Sequence, residues 1–150
     1  MGSERHVDSC EELFRACGMP LTIQRRIIFE ELSQRSDHPT ADQIFQSVQD
    51  RLPGLSRTTV YRVLEALVEA GLIQRICHPG ATARYDANMN RHHHVVCLKC
   101  QRVIDLHSSE LDALAVPKGL DGSFRVLDVS VHFRGLCAEC QEKQDTANLA

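Results

Sequence analysis

The chain has 150 residues, 43% of them hydrophobic, with a formal charge of −3, no tryptophan and seven cysteines. That length holds one domain or two small ones, and the mild acidity excludes a bulk attraction to nucleic acid, so any DNA affinity has to be local. The opening MGSERHVDSC carries no apolar segment, and no apolar run approaches the roughly 18 residues of a membrane span. A cytoplasmic chain with no membrane partner is therefore expected, in which an odd number of cysteines fits metal ligation better than disulfides.

Helical spacing of Cys10, Leu13, Phe14 and Cys17 predicts a first helix from Asp8, ended by Gly18 and Pro20, with both cysteines as core residues. Thr22 caps a second helix carrying Ile23, Ile27, Ile28 and Leu32. Thr40 to Gln43 has capping-box spacing and opens a third with Ile44, Phe45 and Val48 inward. Ser56 caps a fourth, in which Val60, Val63, Leu64, Leu67 and Val68 form an apolar stripe that ends at Gly71. Two short strands, Leu72 to Cys77 and Ala83 to Tyr85, follow around a turn at residues 78–82. Helices followed by a hairpin describe a winged helix-turn-helix over residues 1–85.

After Asp86 the pattern changes. Strands are expected at His92 to Cys97, Val103 to His107 and Phe124 to Phe133, with a short helix from Ser108 to Ala115 and a polar tail after Cys140. Residues 86–150 thus read as a separate small α+β unit, with the boundary near Tyr85 to Arg91, and the whole chain as an α+β protein.

Two C-x-x-C knuckles, Cys97/Cys100 and Cys137/Cys140, each present two thiolates on a tight turn, and four thiolates suit a closed structural zinc site. A redox dithiol pair or an iron-sulfur cluster are the rival uses of four cysteines. Three consecutive histidines precede the first knuckle. In a strand, His92 and His94 share one face while His93 and Cys97 lie on the other, so a single ion cannot gather them all. Asp105, on the next expected strand, brings a carboxylate beside His92 and His94, and imidazole with carboxylate favours Fe(II) or Mn(II). Two metal sites are expected. Spacing alone does not include His38, and it does not choose among His93, His78 and His107 as further ligands.

Several stretches in fixed order carry a resemblance: His38-Pro39-Thr40-Ala41-Asp42-Gln43-Ile44-Phe45, Thr58-Thr59-Val60-Tyr61-Arg62-Val63-Leu64, Glu69-Ala70-Gly71-Leu72-Ile73, Arg84-Tyr85-Asp86, and His92-His93-His94-Val95-Val96-Cys97. From about Cys10 to Cys140 the chain closely resembles the ferric uptake regulator family. The resemblance implies a winged-helix DNA-binding domain, a C-terminal dimerisation domain and repression of genes in the metal-loaded state. It implies a regulatory metal on His38, Asp86, His92, His94 and Asp105, and structural zinc on Cys97, Cys100, Cys137 and Cys140. Iron-sensing members usually have Glu where Asp105 stands, and the peroxide-sensing PerR branch has Asp, so the resemblance leans to that branch. Arg91, His93, Val129 and His132 depart from common family residues, which leaves a further metal site seen in some members without its usual ligands.

The implied partner is a pseudo-palindromic double-stranded operator, bound by a homodimer. On the fourth helix Thr58, Tyr61 and Arg62 avoid the apolar stripe, and Arg57 in the first turn is expected to reach phosphate, whereas Glu65 and Glu69 repel it. Five arginines against two glutamates over residues 51–84 supply the local positive balance. A non-haem iron enzyme on His92, His94 and Asp105 leaves the helix-turn-helix without a purpose, and a zinc-ribbon interaction module leaves His38 and Asp86 unused.

Overall fold

The computed structural model describes residues 4–120 and 122–148, with side chains described over 10–120 and 122–145. The chain divides into Met1–Met89 and Asn90–Ala150.

The first unit holds α1 (Glu4–Ala16), α2 (Ile23–Ser33), α3 (Ala41–Val48), α4 (Arg57–Glu69) and a two-stranded hairpin, β1 (Gln74–Ile76) with β2 (Arg84–Asp86). Each middle helix begins where its sequence supplies a cap. Thr22 accepts from the Arg25 N–H, Ser56 from Thr59, and Thr40 forms the reciprocal box with Gln43. Helix α4 stops at a left-handed Gly71 (φ 73°), where the Gly71 and Leu72 N–H groups donate back to Val68 and Leu67. Its inward stripe, Val60, Leu64 and Leu67, is fully buried with Ile28, Leu32, Ile44 and Val48, and burial of each such side chain is worth about 1.5–3 kcal/mol. This three-helix core and hairpin form the expected winged helix-turn-helix.

Several expectations need correction here. Cys10 is buried, but Leu13 is 45% exposed and Cys17 is exposed. Helix α1 ends at Ala16, so Cys17 belongs to the terminating turn, where its thiol donates to the Phe14 carbonyl. The division after Met89 lies within the stretch from Tyr85 to Arg91. Asp86 is the last residue of β2, paired with Gln74, and the Gln74 side chain also donates to the Asn88 carbonyl.

The second unit contains β3 (His93–Cys97), β4 (Val103–Leu106), α5 (Ser109–Asp112), β5 (His132–Gly135) and α6 (Ala138–Asn148). Its sheet runs β4-β3-β5, antiparallel on one side of β3 and parallel on the other. The expected strand from Phe124 forms only over its last residues. Phe124 and Leu127 are 74% and 83% exposed, and alternation in sequence does not provide the neighbouring strand that an extended backbone needs. Residues 141–148 of the tail belong to α6, whose Cys140 and Gln141 N–H groups donate to the Cys137 carbonyl. Among the described residues, no helix is long and apolar enough to cross a membrane.

Candidate metal sites and nucleic-acid interface

The first knuckle leaves β3 at Cys97 and turns through a left-handed Gln101 (φ 62°), whose N–H donates to the Cys97 carbonyl. The second knuckle opens α6. The Leu98 N–H donates to the Gly135 carbonyl and draws the two turns together, so the four sulfurs of Cys97, Cys100, Cys137 and Cys140 lie within 4.8 Å of one another. Cys100 Sγ and Cys137 Sγ are 3.8 Å apart. Four sulfurs at about 2.3 Å from one ion stand about 3.8 Å apart at a tetrahedron's edges, so the group fits zinc. Backbone N–H groups of Cys100 and then Cys137 aim at Cys97 and pull its thiol down to about 6. Hydrogen bonding to Cys137, followed by burial, pushes Cys140 up to about 12. Four thiols this close cannot all ionise unless a cation balances them, and a divalent ion supplies that balance.

The imidazole and carboxylate donors form one group in each unit. In the first, His38 lies in the α2–α3 loop, 2% exposed, with Nε2 3.3 Å from Asp86 Oδ2. Its φ is 51°, a left-handed conformation that costs a non-glycine residue about 1–3 kcal/mol and persists where surrounding contacts hold it. Arg84 Nη1 donates to the His38 carbonyl at 2.9 Å, the Tyr85 N–H donates to Pro39, and Thr40 caps α3 immediately after. The Asn88 N–H holds Asp86 Oδ1 at 2.8 Å, which leaves Oδ2 turned toward His38.

In the second unit, register pairs His94 with Asp105, and His92, the residue just before β3, brings its ring to 4.7 Å from that of His94. Ligand atoms of His92, His94 and Asp105 lie within 4.8 Å of one another. A backbone carbonyl only accepts, so His92 Nδ1–H donates to Asn90 at 2.6 Å, and Nε2 is the ring nitrogen turned toward Asp105, at 3.3 Å. His132 and His107 flank this face, with ring centres 5.2 Å from His94 and 5.9 Å from His92. His78 lies in the wing turn.

His93 points the other way, as strand alternation requires. The Val131 N–H donates to its Nδ1 at 3.1 Å, so its proton is on Nε2, which donates to Asp112 at 3.0 Å. Both nitrogens are committed to protein partners. His93 pins β3 to α5 and to the segment entering β5, a role its sequence neighbours do not reveal.

On α4, Thr58, Tyr61 and Arg62 are exposed, and no ion pair engages Arg62 among the described residues. Arg57 has a different occupation from the one expected. Its Nε donates to Asp42 Oδ1, and its guanidinium lies over the Phe45 ring. Glu65 is also engaged, with Oε2 2.6 Å from Arg75 and Oε1 3.1 Å from the Tyr85 hydroxyl. Burial, then the bond to Glu65, pushes the Tyr85 hydroxyl above its ordinary range, so it remains a donor. Arg75 thus balances the negative charge of Glu65 on this side of α4. These contacts cross from 10 to 20 residues of sequence, and no local pattern signals them.

A zinc-fitting thiolate group and imidazole–carboxylate donors, on a chain headed by a winged helix, define a metal-responsive winged-helix regulator. The chain belongs to the Ferric uptake regulator family, whose profile matches residues 16–142. Members of that family are transcriptional regulators. The chain is 31% identical over 134 residues to the peroxide operon regulator of Bacillus subtilis (strain 168), covering 89% of this chain and 92% of that one. Among solved structures it is similar to a zinc-bound manganese uptake regulator at 30% identity and a TM-score of 0.65, covering 85% of this chain and 97% of the other. It is also similar to a ferric uptake regulator from Francisella tularensis with iron, at 26% identity and a TM-score of 0.67, covering 83% and 96%.

Proposed function

We propose that the protein is a cytoplasmic, metal-dependent transcriptional repressor that senses hydrogen peroxide through oxidation of its own histidine ligands. The observation that carries this reading is the His92, His94 and Asp105 face, with the Nδ1 of His92 bound to the Asn90 carbonyl and its Nε2 turned toward Asp105. Together with His38 and Asp86 it makes five donors for one regulatory Fe(II) or Mn(II), while Cys97, Cys100, Cys137 and Cys140 hold structural zinc. When bound, iron would supply one-electron redox chemistry toward peroxide that Mn(II) lacks. The net change is one oxygen inserted into an imidazole C–H while one peroxide is reduced to one water, the imidazole giving up both electrons.

His38 and Asp86 belong to the N-terminal unit and the other three donors to the C-terminal one. An ion taken by both sets favours whichever arrangement lets all five reach it, and only through that differential affinity. In a homodimer the result is a set spacing of two α4 helices on a pseudo-palindromic operator, read by Thr58, Tyr61 and Arg62, with Arg57 beside them.

A second reading is an iron- or manganese-responsive repressor with no peroxide sensing, which the likeness to a manganese uptake regulator favours. Operator binding by the zinc-containing protein with Fe(II) and with Mn(II), before and after peroxide, tests both. Loss of binding by the iron form alone supports the sensor, and equal behaviour of the two forms leaves the metal-responsive repressor.

A further inference from the structure

The three residues of β2 make three different connections. Arg84 reaches back to the His38 carbonyl, at 2.9 Å, and Thr40 bridges to Arg84 through the backbone. The Tyr85 N–H donates to Pro39 at 3.0 Å. Asp86 faces the His38 ring. The 38–40 loop is thereby stitched to β2 residue by residue, and the left-handed His38 backbone is held by those stitches.

The side chain of Tyr85 leads elsewhere. Its ring is 2% exposed, in the core with Leu64 and Leu67 of α4, and its hydroxyl emerges beside Glu65 Oε1 at 3.1 Å. Glu65 follows Tyr61 by four residues and Arg62 by three, so all three share one side of the helix. The other Glu65 oxygen takes Arg75 of β1. One strand therefore touches the His38–Asp86 donors at one residue and the exposed, arginine-bearing side of α4 at the adjacent one.

We infer that Tyr85 is a positioning residue that couples the His38–Asp86 half-site to the DNA-facing side of α4 through its hydrogen bond to Glu65. The inference rests on the reading of that half-site as part of the regulatory metal site. Any adjustment of His38 or Asp86 around an ion moves the backbone of β2, because Arg84 and Tyr85 are bonded to the same loop. The buried ring carries that displacement across the core, and the hydroxyl delivers it to Glu65. A phenylalanine ring fills the same space but ends the connection there.

Coupling between two sites is reciprocal, so an operator that is bound better with metal must tighten the metal by the same factor, typically about 5- to 150-fold. The test uses the full zinc-containing chain, Mn(II) followed by its free-ion spin resonance signal, and a duplex obtained by in vitro selection with the Mn(II)-loaded protein. Tyr85→Phe is expected to keep its Mn(II) affinity without DNA within about twofold, since no donor is lost, while the tightening produced by the duplex falls several-fold. A purely structural role would not move that ratio selectively. Glu65→Ala, which leaves the buried ring untouched, is expected to cause the same loss, and the double variant no more than either single one. Tightening in Tyr85→Phe equal to that of the natural chain, or additive losses in the double variant, overturns the inference. A natural chain that binds Mn(II) equally well with and without duplex overturns the regulator reading itself, a result distinct from coupling that is present but indifferent to Tyr85.

Discussion

Arg57 Nε donates to Asp42 Oδ1 at 2.9 Å, and the Arg57 guanidinium carbon stands 4.8 Å from the centre of the Phe45 ring. One side chain from the first turn of α4 thus clasps both the charged and the aromatic surface of α3. In a helix-turn-helix the angle between these two helices decides what the second presents to a groove, so this contact offers Arg57 a role in holding that angle.

Arg57 and Arg62 therefore separate experimentally. Arg62→Ala is expected to weaken operator binding and to lower its salt slope by about one unit, the signature of a lost phosphate contact. Arg57→Ala is expected to leave the salt slope unchanged and to cost at most about 1 kcal/mol of stability, because the pair with Asp42 is largely exposed. Binding isotherms at several salt concentrations and thermal unfolding check the two. An equal fall in slope for both would place Arg57 on the DNA after all.

His93→Ala is expected to leave regulatory metal content unchanged. The loss falls on folding, by about 1–3 kcal/mol, because the substitution strands the Val131 N–H and leaves Asp112 only the longer pair with Arg91, at 3.6 Å. Denaturant unfolding alongside Mn(II) titration decides this. A drop in Mn(II) affinity with unchanged stability would make His93 a ligand.

What was legible in the sequence and what was not divides along physical lines. Thr22, Thr40 and Ser56 announce their helices because a cap and the N–H it satisfies lie three residues apart. Cys97, Cys100, Cys137 and Cys140 announce a site because each knuckle's chemistry is local. His92 and His94 follow from strand alternation alone. His38 does not, since its partner Asp86 lies 48 residues on and nothing local marks a histidine for a left-handed backbone. It entered only through a resemblance. The contact of Arg57 with Asp42 is hidden for a related reason, because a first-turn arginine looks the same in sequence whether or not an acidic residue 15 positions back reaches it. The run from Phe124 shows the opposite failure. Its alternation describes the two faces of an extended chain and says nothing of whether a neighbouring strand pairs with it.

Cys137→Ser is expected to lower tightly held zinc below one ion per chain and to destabilise the C-terminal unit, since three thiolates no longer close a tetrahedron. The Cys97 and Cys137 turns are bound through the Cys137 N–H to Cys97 Sγ as well as through any ion, so the damage should spread to β3. Metal analysis with a competing chelator, and the unfolding midpoint, are the measurements. A stable protein that keeps one tightly bound zinc would remove this assignment.

The last prediction concerns where oxygen lands. An oxidant formed beside five ligands meets their carbons before any other, and a carboxylate offers it no ring C–H to attack. The imidazoles of His38 and His92 are buried to within 2% and 5%, so an oxidant released into solvent would reach exposed sulfur at Cys17 or Cys77 far more readily. Among the ligand histidines the resemblance to the PerR branch points to His38 or His92, so peptide mass spectrometry of the Fe(II) form after stoichiometric peroxide is expected to show a gain of one oxygen, about 16 Da, on one of those two peptides, and none there in the Mn(II) form. The modified fraction should track the loss of operator binding, and a thiol reductant should restore neither, because an oxidised imidazole carbon is not a disulfide or a sulfenic acid. Oxygen confined to cysteine or methionine, or release of DNA that a thiol reverses, would mean that peroxide acts on sulfur and that the histidine face responds to metal alone.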